Sequence, residues 1–330
     1  MSERIPITFA CEDYDHVRDL ASGVVTVEGV ALTVVHHPVE ELFFRFTRFR
    51  EWEVSELSLA KYSSLRAAGD SSLVAIPVFT SRAFRHSAIF VRSDGPIDQP
   101  EALRGARIGI PEWTVTATVY ARGLLAEDHG VAVDGVSWIQ AGTNEAGRVE
   151  GVAVQLPEGV ALTPRPDATL NDLLIAGEID AVIAPHPPRG FEDGSGRIVR
   201  LFSDPRSVEQ AYFARTGVFP IMHVVAIRAD VYERQRWLAM NLLTAFTQAK
   251  RRSVERALDF NAPRVPVAWA PAHAQSVREL MGEDLWPYGI KPNRPTLETF
   301  LRWAHEQGVC ARALEVEELF APEVRETFRI

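Results

Sequence analysis

The sequence predicts an α/β protein with two lobes, each a mixed, mostly parallel sheet flanked by helices. Short strand-like runs alternate with helix-like runs along the chain, which is typical of α/β layering. The chain has 330 residues, more than one hydrophobic core usually contains, so we expect two lobes of ordinary domain size. Apolar residues make up 46% and charged residues 24% of the chain, as in ordinary globular proteins.

The first lobe is predicted from hydrophobic spacing. Strands are expected over four apolar or alternating runs, 5–10, 30–35, 73–79 and 87–91. Between them, Leu42, Phe46 and Phe49 recur at helical spacing, and a further helix is expected at about 60–68. Residues 93–100 are rich in turn formers, so we expect the second lobe to begin there.

The second lobe is expected to cover residues 93–218. Its predicted elements are strands at 107–110 and 181–184 and a helix at 116–128 that stops near Gly130. A long strand at 220–228 then returns to the first lobe, and helical patterns follow it, including one that ends at Gly308. The first lobe is therefore expected to consist of residues 1–92 and 219–330, with a ligand cleft between the lobes.

A lobe inserted into another lobe made from both chain ends is the plan of type II periplasmic-binding folds. In open α/β sheets of this kind, ligands bind at the carboxyl ends of strands, where helices begin. Candidate site residues are therefore expected at junctions between predicted strands and helices.

The overall charge favours a small-molecule partner. The formal net charge is −9, which argues against nucleic acid because phosphate binding needs a basic footprint. No run approaches 18 apolar residues, so no membrane span is expected. The N-terminal residues enter a strand-like pattern without the features of a signal peptide, which favours a cytoplasmic protein, and we expect a homo-oligomer. Cys11 and Cys310 are interpreted as buried small hydrophobes.

The densest cluster of candidate residues lies between two predicted strands of the first lobe. Ser81, Arg82, Arg85 and His86 provide a hydroxyl, two guanidinium groups and an imidazole within six residues. Such a cluster is suited to holding a carboxylate and delivering a proton beside it. A solvated basic loop is the alternative, because loops are polar in any case.

A second cluster joins a strand to a helix in the second lobe. Thr114 or Thr116 is expected to cap the helix while free N–H groups bind an anion, although capping alone also accounts for both threonines. Glu112, at the end of the strand, is a candidate base, because a carboxylate in a cleft should be paired or functional.

Two further junctions contain candidates. In the first lobe, Ser58 and Lys61 would form a second anion site facing the first, unless Lys61 is simply exposed. At the return crossing, Thr216 and His223 are candidates, with His223 either a hydrogen-bonded core histidine or an acid in the cleft. His186 is recommended only by its position after a strand.

Segments throughout the chain resemble the 4,5-dihydroxyphthalate decarboxylase family. They are Asp13–Asp15, Ile76–Ser87, Gly105–Trp113, Gly177–Ala181, Arg200–Asp204, Thr216–His223, Gly282–Ile290 and Glu317–Phe320. The resemblance implies non-oxidative loss of one carboxylate from 4,5-dihydroxyphthalate, giving protocatechuate. It also shows two departures: Ala60-Lys61-Tyr62 replaces Ser-Ser-Tyr, and Trp113 replaces tyrosine. Both touch expected anion sites, so the resemblance defines the family more closely than the substrate.

The implied reaction gives hypothetical roles to these candidates. Protonating the ring carbon before CO2 leaves avoids an aryl anion, and a deprotonated hydroxyl para to that carbon supplies the charge. We expect Glu112 to take the hydroxyl proton, His86 to protonate the ring with His223 as the alternative donor, and Arg82 and Arg85 to hold the remaining carboxylate. No organic cofactor is implied, although a catechol can chelate a divalent metal.

Other functional classes remain open at this stage. A non-catalytic receptor for aromatic acids has the same fold, and fold does not decide function. A ligand-sensing domain of a transcription regulator is a third class, but no helix-turn-helix pattern precedes the first lobe. A related lyase acting on another hydroxylated aromatic acid is a further enzyme alternative. Patterns typical of zincins, P-loop proteins, dinucleotide-binding proteins and serine hydrolases do not occur in the sequence.

Overall fold

The structure is a computed structural model that describes residues 4–152 and 154–326. The strands are β1 Ile5–Cys11, β2 Val30–His36, β3 Val54–Ser58, β4 Leu73–Arg82, β5 Ile89–Arg92, β6 Arg107–Ile110, β7 Ser137–Gly142, β8 Ala161–Thr169, β9 Ala181–Ile183, β10 Ile198–Arg200 and β11 Ile221–Arg228. The α-helices are α1 Asp15–Ala21, α2 Val39–Phe49, α3 Leu59–Ala67, α4 Thr116–His129, α5 Leu170–Ala176, α6 Arg189–Glu192, α7 Pro205–Thr216, α8 Ala229–Arg234, α9 Trp237–Ala257, α10 Ala270–Met281 and α11 Arg294–Glu306.

The strands form two mixed sheets, which confirms the predicted fold class. The first sheet has the order β2-β1-β3-β11-β4 and the second has the order β10-β5-β9-β6-β7-β8. Parallel pairs such as β1 with β2 and β6 with β7 lie beside antiparallel ones such as β11 with β4 and β5 with β9. β11 comes late in the chain and inserts between β3 and β4, so the first sheet is made from both ends of the chain.

The chain crosses to the second sheet earlier than the sequence predicts. We placed the start of the second lobe at residue 93, but Ile89–Arg92 pairs with β9 and β10 in the second sheet. The crossing therefore lies between Arg82 and Ile89, a stretch that contains neither glycine nor proline. The turn formers at 93–100 follow β5 within the second lobe and do not mark the crossing.

The helices pack on both sheets and join the two lobes. α9 packs against α1 in the first lobe, while α4 of the second lobe contacts α11 of the first. At that second contact, the indole N–H of the fully buried Trp113 donates a hydrogen bond to the carbonyl of Gln307 at 2.8 Å. In the described part of the chain, no helix is long and apolar enough to cross a membrane.

Candidate active site

A cavity of about 1020 Å³ lies between the two lobes and contains most of the candidate residues. Its walls come from both lobes, at the ends of β3, β4, β6 and β9 and the start of β11, as expected for a ligand site in open α/β sheets. The polar lining residues are Glu12, Tyr14, Glu40, Thr47, Arg48, Ser58, Lys61, Ser81, Arg85, Glu112, Thr116, Thr143, Arg148, Glu150, His186 and His223.

His223 lines the cavity and is held by a buried carboxylate. Its Nδ1 lies 2.6 Å from Oε1 of Glu56, whose side chain has no exposed surface. The phenyl ring of Phe43 contacts the imidazole edge to face at 4.8 Å between ring centres. Because Nδ1 is engaged with Glu56, Nε2 is the ring nitrogen left for a ligand, as in general acid-base sites where a carboxylate fixes the tautomer.

Glu56 is ionised in this arrangement because its surroundings compensate for its burial. Tyr14 and Thr80 donate their hydroxyl hydrogens to Oε1, at 2.7 and 2.9 Å, and the backbone N–H of Glu12 donates to Oε2 at 3.0 Å. Burial alone would raise the pKa of Glu56, but the charge and hydrogen bond of His223 and the other donors lower it below its usual value. The negative charge of Glu56 therefore lies directly against the His223 ring.

Glu112 is held between two cations at the opposite wall. Its Oε1 accepts hydrogen bonds from Arg148 at 2.8 Å, and its Oε2 lies 3.4 Å from Nζ of Lys61. Oε2 is buried and has no hydrogen-bond partner among the described residues. Lys61 comes from the first lobe and Glu112 from the second, so this ion pair crosses the cleft. Oε2 of Glu112 can therefore accept a hydrogen bond from a ligand hydroxyl.

Arg85 lines the cavity without a carboxylate partner among the described residues. Its Nε donates to the thioether sulfur of Met222 at 3.1 Å, a weak acceptor for a charged donor. Burial lowers the pKa of Arg85 to about 10, so the side chain remains charged at neutral pH. Arg85 is half-buried, and the charge of Glu209 only partly compensates it. The guanidinium group is therefore suited to bind an anionic ligand.

Ser58 caps its helix, whereas Thr116 does not cap its own in the way we expected. The Ser58 hydroxyl caps α3 by accepting the N–H of Lys61 at 3.4 Å, and it lies 3.0 Å from the Thr116 hydroxyl across the cleft. Thr116 does not cap its own helix, since α4 begins after Val115 without a side-chain cap. Its hydroxyl instead accepts the N–H of Ala60 at 3.1 Å, which joins the two lobes.

Four predicted site residues lie outside the cavity. Arg82 points away and donates to the carbonyls of Phe219 and Pro287 at 3.0 and 2.8 Å and to the side chain of Asn293. His86 is 2% exposed and packs against the rings of Phe202 and Tyr212. The expectation that Arg82 and His86 face the cleft is therefore wrong.

The same correction applies to two threonines. The Thr114 hydroxyl is fully buried and donates to the carboxylate of Glu150. Thr216 ends α7, where its hydroxyl donates to the carbonyl of Tyr212 at 2.8 Å. Neither lines the cavity, because these local contacts consume their hydroxyl groups.

Comparison with known proteins identifies the family. The chain is 38% identical over 328 residues to 4,5-dihydroxyphthalate decarboxylase of Comamonas testosteroni, covering 99% of each chain. The chain belongs to the 4,5-dihydroxyphthalate decarboxylase family. The protein of the same name from Pseudomonas putida is 38% identical over 211 residues, which are 64% of this chain and 82% of that protein. A scan against protein-family models found no match.

Solved structures agree with the fold of this 4,5-dihydroxyphthalate decarboxylase family member. The aliphatic sulphonate binding protein SsuA of Escherichia coli superposes with a TM-score of 0.56 at 11% identity, over 98% of this chain and 99% of that one. A mutant of the desulfurization enzyme DszB, in complex with biphenyl-2-sulfinic acid, gives 0.56 at 14% identity over 98% of each chain. These similarities show the two-lobed periplasmic-binding-protein fold in this carboxy-lyase.

Several residues of the site in this decarboxylase family member, in the cavity lining or directly behind it, were missed by sequence reasoning. Tyr14 and Glu56 form the support for His223, while Arg148 and Glu150 approach from the segment after β7. Tyr14 lies in a segment that carries the family resemblance, and Glu56 lies two residues before Ser58, so both had a signal. Arg148 and Glu150 lie in a segment without helical or strand periodicity, which gave none.

The cavity of this family member also contains His186, which the sequence recommended only weakly. Its Nε2 lies 3.3 Å from the carboxylate of Glu40, on α2 of the first lobe. The hydrogen bond from His186 lowers the pKa of Glu40 to about 2. No group of three or more His, Cys, Asp or Glu side chains placed to hold a metal ion occurs within residues 4–152 and 154–326.

Proposed function

We propose that this chain removes one carboxyl group, as CO2, from 4,5-dihydroxyphthalate and releases protocatechuate. The single observation that carries the proposal is the His223–Glu56 pair facing the same cavity as the Arg85 guanidinium, which has no carboxylate partner in the described part of the chain. A proton donor beside a site for a carboxylate is what the decarboxylation of an aromatic dicarboxylate requires. The relatives named 4,5-dihydroxyphthalate decarboxylase support this substrate.

The reaction begins with charge moving into the ring. The substrate hydroxyl para to the leaving carboxylate gives its proton to Oε2 of Glu112, the acceptor without a hydrogen bond. The ring carbon that bears the leaving carboxylate then takes a proton from Nε2 of His223 and becomes tetrahedral. Glu56 stabilises the imidazolium before this transfer, and such general acid-base steps contribute about 10²–10⁴-fold each.

Loss of CO2 restores the aromatic ring. The bond between the ring and the carboxylate breaks, its electron pair returns to the ring, and the hydroxyl oxygen recovers its proton from Glu112. His223 takes a new proton from water, so the reaction consumes one proton for each CO2 released. Arg85 holds the carboxylate that stays on the ring, and Lys61 and Arg148 balance the charge of Glu112.

A panel of related acids tests the proposal. Purified protein is incubated with 4,5-dihydroxyphthalate, with phthalate, which lacks the hydroxyls, and with protocatechuate, which lacks the second carboxylate. We expect CO2 and protocatechuate in equal amounts from the first compound and none from the other two, because only the first has both groups. If phthalate and 4,5-dihydroxyphthalate both bind but no CO2 forms, the protein is a receptor and the proposal is wrong.

A further inference from the structure

A segment of the second lobe, residues 143–152, crosses the cavity and is called the strap below. Five of its consecutive residues, 148–152, line the cavity together with Thr143. Gly151 lies directly over Lys61, since a Cβ placed on it would be 3.1 Å from the Lys61 ammonium nitrogen. The absence of a side chain at Gly151 thus lets the strap approach the catalytic groups closely.

The strap places a carboxylate on three hydrogen-bond donors that lie buried behind the cavity lining. Oε2 of Glu150 accepts the backbone N–H of Trp113 at 2.6 Å and that of Thr114 at 3.4 Å, and Oε1 accepts the Thr114 hydroxyl. These donors belong to the loop between β6 and α4, ahead of the first helical residue, Thr116. They converge on the carboxylate of Glu150, which itself lines the cavity. A formed carboxylate subsite therefore lies behind Glu150, and we call it the Thr114 subsite.

Glu150 is an electrostatically poor occupant of the Thr114 subsite. Among the described residues no Lys or Arg lies within ion-pair distance of it, and the buried Arg122 is near enough only for a charge interaction. Lys61 and Arg148, by contrast, both pair with the neighbouring Glu112. Burial, and then the negative charge of Glu112, raise the pKa of Glu150. The buried Oε2 of Glu112, which has no hydrogen bond within residues 4–152 and 154–326, lies beside Glu150 in the cavity lining and offers an acceptor to a ligand that enters.

We propose that Glu150 is an internal occupant of the Thr114 subsite and that a carboxylate of the aromatic ligand replaces it there. The inference rests on the proposed function, since it requires an aromatic dicarboxylate as ligand. One ligand carboxylate binds the Trp113 and Thr114 donors and the other binds Arg85, while Glu150 moves out with the strap. Each ligand that binds must displace Glu150, so this residue sets the affinity for dicarboxylates.

The binding of phthalate tests this displacement. In Glu150→Ala the donors are free, so we expect calorimetry to show roughly tenfold tighter phthalate binding than in the wild type, the effect of about one hydrogen bond to a charged group. The matched control is Glu145→Ala, which removes an exposed carboxylate from the same strap and should leave the affinity unchanged. Unchanged or weaker binding in Glu150→Ala would mean that Glu150 only anchors the strap.

A second variant tests whether the ligand uses the same donors. Thr114→Val keeps the shape of the side chain and removes its hydroxyl. In the Glu150→Ala background it should weaken phthalate binding several-fold, and in the wild type it should have a smaller effect, because there it also weakens the competing Glu150. Equal effects in both backgrounds would overturn the proposal.

These outcomes are independent of turnover, because phthalate lacks the hydroxyls that the reaction requires. If no variant releases CO2 from 4,5-dihydroxyphthalate but Glu150→Ala binds phthalate more tightly, the subsite stands and the decarboxylase proposal fails. If the wild type releases CO2 and Glu150→Ala binds phthalate no better, the function stands and the displacement is wrong.

Discussion

At the scale of single residues, two histidines are candidates for the proton donor. His86 lies in the crossing between the lobes and His223 lies in β11 of the first lobe, and sequence reasoning favoured His86 because of the adjacent arginines. In the structure, burial lowers the pKa of His86 to about 4, so the imidazole is neutral near pH 7. His86 also lies outside the cavity. Sequence reasoning placed His223 second because its strand is apolar, as expected of a core position. Its partner Glu56 is distant in sequence, so the pair could not be predicted.

The depressed pKa of His86 predicts acid sensitivity of the fold. The folded pKa is about 4 and the unfolded one about 6.5, so the unfolded state binds the proton first as pH falls. The free energy of unfolding is therefore unaffected by this residue above pH 6.5 and decreases as the pH falls towards 4. By pH 5 the decrease is about 2 kcal/mol. Urea unfolding at pH 7.5 and pH 5 should show that His86→Gln loses about 2 kcal/mol less than the wild type over this interval. Equal losses in both proteins would contradict the burial argument.

The two arginines of the 77–87 segment should respond differently to lysine. Arg85→Lys is expected to raise KM for 4,5-dihydroxyphthalate about tenfold with little loss of stability, since lysine lacks the bidentate fork that grips a carboxylate. Arg82→Lys is expected to lower the free energy of unfolding by about 1–3 kcal/mol, because it breaks hydrogen bonds to buried oxygens, while KM stays near the wild-type value. Steady-state kinetics and urea unfolding of both variants measure the difference, and a reversed pattern would place Arg82 at the ligand.

At the scale of elements, strand ends were predictable and loops were not. Periodicity located β1, β4, β6 and β11, and the polar residues at the ends of β1, β4 and β6 and at the start of β11 lie where mixed sheets place ligand sites. The direction of each side chain depends on contacts that the sequence does not show. Arg82 and Arg85 are three residues apart, yet Arg82 is drawn towards Asn293, which lies more than 200 positions away.

The contact between α4 and α11 gives a prediction about the packing of the two lobes. Gly123 faces the indole of Trp303, and a Cβ added to it would lie 2.1 to 2.5 Å from ring atoms. Gly123→Ala should therefore cost about 1–3 kcal/mol of stability, as overpacking of a close contact does. Gly135→Ala is the matched control, since the nearest atom to its added Cβ is 3.8 Å away. Equal urea midpoints for both variants would show that the helices can separate at little cost.

At the scale of the whole molecule, the site exists only where the lobes meet. Ser58 with Thr116, and Lys61 with Glu112, are pairs from opposite lobes at 3.0 and 3.4 Å. The sequence predicted two facing anion sites at these junctions, because both follow strands whose carboxyl ends border the cleft. It did not predict that Glu112 would bind Lys61 or that Glu150 would occupy one of the sites, since such pairings are set by the closure of the lobes.

The most direct test of the central claim is the turnover of His223→Gln with 4,5-dihydroxyphthalate. Glutamine keeps a hydrogen-bonding side chain beside Glu56 but has no proton to deliver to the ring, so kcat for protocatechuate formation should fall at least ~100-fold while KM changes little. His86→Gln, measured at pH 7.5, should retain a kcat within about twofold of the wild type. A His223→Gln variant with near wild-type kcat, or a His86→Gln variant that is inactive although folded, would contradict the assignment of His223 as the proton donor.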